Sequence, residues 1–278
     1  MEVIFSQKCL EYMSPGHPES PARVESSYEY LKEKGLSFVE PKAAKEGELL
    51  SVHTRGLVEA VKNLSFSDSD TPALDGIFDY ASLAAGSAIR AMELALEGKP
   101  AFSLMRPPGH HAGRDFLGGF CYFNNLAVAC QKAIISGERV AILDIDCHHG
   151  NGTQDIFLGK EDVLYVSLHQ VPLYPGTGLE SQGNCLNYPL KPGTAPDEYL
   201  AVIKEAMAEI KKFSPRLLAV SAGFDTYARD PLANIGLKRD TYRKIKELIL
   251  AAKINYFCVL EGGYSDELKY CICEFLGS

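Results

Sequence analysis

From about residue 80 onward, runs of valine, isoleucine, leucine and phenylalanine alternate with segments of helical periodicity, and few architectures accommodate that alternation. Repeated strand and helix units of this kind build a mainly parallel sheet. The apolar runs predict strands over Glu2 to Phe5, Ala101 to Met105, Val140 to Ile145, Val163 to Leu168, Leu217 to Ser221 and Tyr256 to Leu260. Their unbroken apolar content suits strands covered by helices on both faces. Helices are predicted over Pro21 to Lys34, Asp79 to Leu96, Phe123 to Ile135, Pro196 to Phe213, Asp240 to Ala252 and Ser265 to Leu276. Pro21 suits a first helical turn and Gly35 a stop. Leu64 to Gly76 and His169 to Thr194, rich in turn-forming residues, are predicted as loops. With no internal repeat, linker or low-complexity tract, residues 1–278 are expected to form a single α/β domain.

Composition narrows the function. Hydrophobic residues make up 46% and charged residues 23%, as in ordinary globular proteins that bury a sizeable core. The net charge of -8 would repel phosphate backbones, so direct nucleic-acid binding is not expected. The eight cysteines show no C-x2-C pair of the kind that clamps zinc, and Cys271 and Cys273 near the end read as packing thiols. There is no basic leader before an apolar run and no stretch of ~18 apolar residues. A reducing cytoplasm and no membrane are expected.

The chemistry is written where predicted strands end, which is where ligands bind in open α/β sheets. Arg106-Pro107-Pro108-Gly109-His110-His111 follows one strand, Asp146-Cys147-His148-His149 the next, Ala222-Gly223-Phe224-Asp225 a third and Glu261-Gly262-Gly263-Tyr264 a fourth. Asp146 and His148 are two apart, so at a strand end their side chains point to the same side and can share a metal. Asp225 would supply a third ligand. One imidazole and two carboxylates leave a coordination position open, which suits a catalytic site. Taken alone, an Asp-x-His pair fits a hydrogen-bonded loop pair equally well.

The strings RPPGHHAG, GGFCYFNN, DIDCHHGNGTQ, VSLH, YPGTG, SAGFD and EGGY stand in the order found in the zinc-dependent histone deacetylase family. They span about residues 101–264, and GHPESPAR together with VHT near His53 extend the likeness to nearly the whole chain. The chain thus resembles that family, in a class II-like form, within the superfamily that also holds acetylpolyamine amidohydrolases and acetoin-utilisation proteins. The resemblance implies an arginase-like α/β fold and removal of acetyl or other acyl groups from lysine side chains or related amines.

By that resemblance, Asp146, His148 and Asp225 hold zinc, with iron(II) as a substitute. A water on such a metal has a pKa of about 7. His111 matches the general base and later general acid, and His110 the partner imidazole that steadies the anionic intermediate. Asp144 would orient His110. Asn151 stands where some relatives place a second aspartate against His111, and should raise its basicity less. Tyr264 matches the oxyanion donor. Gly119 and Phe120 match one wall of the acyl tunnel, and the facing aromatic, usually phenylalanine, is Tyr174 here. The family also tends to hold potassium, through Asp144, the carbonyls of Asp146 and His148, and Ser167 with Leu168. His149 and His169 receive no firm role, while His17 and His53 read as structural.

Three competing readings remain. An arginase-like manganese hydrolase shares the strand-end Asp-x-His, but the Asp144-x-Asp146-x-His148 order and the His110-His111 pair favour a deacetylase. A catalytically silent acyl-lysine binder would lack site residues, and none is missing. An acetylpolyamine amidohydrolase is the third. Leu232, an apolar residue after Asp230-Pro231 where polyamine-specific relatives can carry an acidic gate, leans toward acyl-lysine. An acidic residue from the irregular loop near Asp68 and Asp70 could grip substrate backbone amides, and the sequence does not say which one. The oligomeric state is not legible.

Overall fold

The computed structural model describes residues 1–277. Its strands are β1 (Glu2–Ile4), β2 (Phe38–Val39), β3 (Ala101–Ser103), β4 (Val140–Asp144), β5 (Val163–Gln170), β6 (Cys185–Leu190), β7 (Leu217–Ala222) and β8 (Asn255–Leu260). They form one sheet in the order β2-β1-β3-β8-β7-β4-β5-β6, and every neighbouring pair is parallel. The helices are α1 (Pro21–Glu33), α2 (Glu46–Leu49), α3 (Arg55–Lys62), α4 (Ile77–Leu96), α5 (Asn125–Ile135), α6 (Asn151–Phe157), α7 (Pro196–Phe213), α8 (Arg239–Ala251) and α9 (Leu268–Leu276).

Side chains alternate across a strand, so an apolar strand feeds two cores. In β4, Ala141 and Leu143 join a cluster with α1, α7, α8 and α9, through residues such as Leu31, Ile203, Ile245 and Ile272. Val140 and Ile142 point the other way, into a cluster with α3, α4 and α5, through Val58, Ala88 and Leu126. Helices on both faces leave the strand ends as the exposed rims. The fold class is the expected α/β one.

All six predicted strands are present, with ends moved by one or two residues. Two strands were not foreseen. The predicted loop from His169 to Thr194 instead begins on β5 and contains β6, whose residues Cys185 to Leu190 pair with Tyr165 to Gln170. Pro189 masks the strand signal, yet proline is tolerated at a sheet edge, where no neighbour needs its missing N–H. At the other edge β2 is only two residues long. Among the helices, α2, α3 and α6 were missed. Their lengths of four, eight and seven residues give periodicity little room to show. The start of α5 is fixed by Asn124, whose Oδ1 accepts from the Ala127 N–H at 3.0 Å, so Phe123 precedes the helix.

Candidate active site

A cleft of about 400 Å3 opens at the carboxyl ends of the central strands. The segment after β3 brings Pro108, His110 and His111 to it, the segment after β4 brings Asp146 and His148, and the segment after β8 brings Gly262 and Tyr264. Gly119, Phe120, Tyr174 and Leu232 also line it.

At its floor, ligand atoms of Asp146, His148 and Asp225 all lie within 4.8 Å of one another. His148 Nδ1 stands 3.1 Å from Asp146 Oδ1 and 2.8 Å from Asp225 Oδ2. Backbone donors hold the carboxylates: Gly262 N–H reaches Asp146 Oδ2 at 2.7 Å, and Cys147 N–H reaches Asp225 Oδ1 at 2.8 Å. A Cβ at Gly223 or Gly262 would run into these carboxylates, so the cradle requires glycine at both places. Burial, and then the adjacent Asp146 charge, push the Asp225 carboxyl up to about 7. Burial would also raise Asp146, but the His110 and His148 imidazoles outweigh it and hold that carboxyl well below its usual range. Two buried carboxylates and an imidazole converging on one point are a donor set that fits a divalent cation.

The paired histidines face different partners. His110 Nδ1 is 3.1 Å from Asp144 Oδ2, and His111 Nδ1 is 2.8 Å from Asn151 Oδ1, in the first turn of α6. The rings lie 4.0 Å apart. Burial disfavours charge on His110, but the carboxylates of Asp146 and Asp144 overcome it and raise the imidazole to about 10. His111 moves the opposite way. Burial, then the positive His110 and His148, depress it well below the ordinary imidazole value.

Tyr264 completes the cleft. Its N–H donates to Asp230 Oδ2 at 2.6 Å, and the Arg23 guanidinium lies 4.4 Å from its ring centre. Burial raises the phenol far above its usual value, so it stays a proton donor at neutral pH. Phe120 lies edge-on to Tyr264 at 5.7 Å, and Tyr174 lies edge-on to His111 at 5.0 Å. Between them Gly119 adopts a left-handed φ of +54°, and a Cβ there would strike the His111 ring.

The remaining histidines are distributed unevenly. His53 is buried, with Nδ1 2.7 Å from the Gly113 carbonyl and Nε2 accepting from Asn124 N–H at 3.0 Å, a structural role as read. His17 departs from that reading, since it lines the cleft and packs edge-on against Phe120 at 4.6 Å. His149 and His169 sit 4.6 Å apart, held by Thr177 and Gln154 and by Ser167 and the Gly178 carbonyl respectively. Arg23, Asp230 and Glu261 were quoted in motifs without a role. Arg23 and Asp230 reach the Tyr264 segment from distant parts of the chain, and Glu261, within that segment, reaches Gly109 and His110, contacts that spacing cannot reveal.

A parallel sheet whose strand ends gather carboxylates, imidazoles and a phenol in one cleft belongs to the class of α/β hydrolytic enzymes. The chain belongs to the histone deacetylase family: the histone deacetylase domain matches residues 17–277. It is 38% identical over 292 residues to a probable deacetylase of Archaeoglobus fulgidus, covering 95% of this chain and 81% of that protein. Among solved structures, the HDA15 HD domain superposes with a TM-score of 0.93 at 32% identity, covering 100% of this chain and 90% of that one. An acetylpolyamine aminohydrolase from Burkholderia pseudomallei superposes at 0.87 with 30% identity, covering 100% and 98%. The fold is therefore the arginase-like deacetylase fold, and the protein is a deacetylase, a hydrolase of amide bonds.

Proposed function

We propose that the protein removes acyl groups from acylated lysine side chains or related small amines, with residues 1–278 acting as one catalytic domain. The convergence of Asp146, His148 and Asp225 beneath His110, His111 and Tyr264 carries this reading. Asp146, His148 and Asp225 would hold zinc, or iron(II) in its place, and such an ion supplies Lewis acidity and lowers the pKa of water. His111, kept neutral by its surroundings, takes the proton from water and returns it to the leaving amine. Asn151 fixes which of its nitrogens faces the cleft. His110, charged and held by Asp144, offers positive charge to the tetrahedral oxyanion. Tyr264 donates its phenolic proton to the same oxygen.

Gly119, Phe120 and Tyr174 would confine the acyl-bearing chain, and Leu232 gives the mouth an apolar contact. That rim favours an acyl-lysine. A second reading, an acetylated polyamine, draws on the Burkholderia likeness and on Asp70, an acidic residue lining the cleft that a second ammonium would suit. A potassium ion held by Asp144, Ser167 and Leu168, with carbonyls of Asp146 and His148, is supported by the register that sets Asp144 opposite Ser167. The described cysteines form no disulfide, which suits a reducing cytoplasm, and no described helix is long and apolar enough to cross a membrane.

The test is a panel of acyl-lysine peptides and acetylated polyamines turned over by zinc-loaded protein, beside His111→Ala. Turnover of an acyl-lysine that His111→Ala abolishes is expected. Full activity in that variant, or none in the parent on any acylated amine, would remove this reading.

A further inference from the structure

We propose that Glu261 is a positioning residue that locks the His110–His111 segment against the Tyr264 segment without touching substrate. The inference rests on the proton-handling role given to those histidines. Glu261 is fully buried and is not among the residues lining the cleft. Its Oε2 accepts from two successive backbone groups, Gly109 N–H at 2.7 Å and His110 N–H at 3.1 Å. Its Oε1 accepts from Ser221 Oγ at 3.0 Å, on β7 just before Asp225.

The backbone of Glu261 continues the connection. Its carbonyl accepts from Arg23 Nη2 at 2.7 Å, and Arg23 Nε reaches the Gly263 carbonyl at 2.6 Å while the guanidinium covers the Tyr264 ring. The next residue, Gly262, donates to Asp146. One side chain thus ties the ends of β3, β7 and β8 together. Two hydrogen bonds from consecutive N–H groups to one buried oxygen fix the backbone from which both imidazoles project. A displacement of about 1 Å at such a site can lower turnover roughly 100-fold.

The test compares zinc-loaded Glu261→Ala and Glu261→Gln with the parent, by imidazole NMR and by kcat and KM on an acyl-lysine peptide. In Glu261→Ala the His110 and His111 signals should move while those of His53 stay, and kcat should fall roughly 10- to 100-fold with KM within about twofold. Glu261→Gln should restore both, since its amide oxygen can still face the N–H pair with its NH2 toward Ser221. If the alanine variant does not fold, Glu261→Asp, too short to reach both N–H groups, should give the same shifts. Unmoved His110 and His111 signals in Glu261→Ala or Glu261→Asp would overturn the proposal, as would a folded Glu261→Gln that matches the alanine variant. Shifted imidazoles together with an active His111→Ala would overturn the proton-handling reading instead, leaving the positioning intact.

Discussion

Asn151 Oδ1 lies 2.8 Å from His111 Nδ1, so the imidazole expected to carry the proton is oriented by a neutral amide, whereas His110 is paired with the carboxylate of Asp144. A neutral partner orients the ring but stabilises its charge less than a carboxylate would. Asn151→Asp would add a carboxylate that favours the imidazolium, so the acid limb of the kcat/KM profile should move to higher pH. A limb that stays in place would show that His111 is not the group it reports.

Tyr264→Phe keeps the ring beneath Arg23 and removes only the donor. Turnover should fall roughly 100- to 1,000-fold, with KM little changed, as for other lost oxyanion donors. A loss confined to KM would place Tyr264 in substrate binding rather than in polarising the carbonyl.

Asp225→Ala removes one of three converging ligand groups. Bound metal after gel filtration should collapse below one tenth of the parent's on the order-of-magnitude loss expected when a ligand is deleted. One tightly held equivalent would mean that the ligands lie elsewhere.

Gly119→Ala should lower kcat more than it raises KM. Its Cβ would meet His111 before any substrate, in a left-handed conformation that alanine resists. Tyr174→Phe, in contrast, keeps the wall and changes only polarity, so a change in acyl-chain preference with steady kcat on the best substrate is expected. Equal effects from both substitutions would undo this distinction.

Burial lowers the His53 imidazole to about 4 from the ordinary 6.5. The unfolded chain therefore binds more protons than the native one between those values, and stability should fall as pH drops through that window. The melting temperature, followed from pH 7 to pH 4, should decline less steeply in His53→Gln, which cannot charge. Parallel slopes would exclude His53 as a source of acid lability.

The strand ends were legible because a buried parallel strand must be apolar, so the first polar residue after it marks the rim. Asp146, His148 and Asp225 stand out in this way, whereas the part assigned to Tyr264 came from the family resemblance. The edges were not, because β6 carries Pro189 and β2 has too few residues to repeat a pattern. Supporting residues were hidden for another reason. Arg23 and Glu261 are 238 positions apart, and only the folded chain shows the guanidinium against that carbonyl. His17, read as structural, reaches the cleft because its loop packs on Phe120, a contact that no local spacing encodes.

The metal and proton-handling candidates all follow β3, β8, β7 and β4, which are consecutive in the sheet, while the outermost strands β2 and β6 carry none of them. A strand added beyond either margin, or a longer excursion there, would leave the distances among His111, Asp146 and Tyr264 unchanged. Descent within this architecture can therefore remodel the periphery, and with it what the protein meets, while the reaction centre is inherited intact.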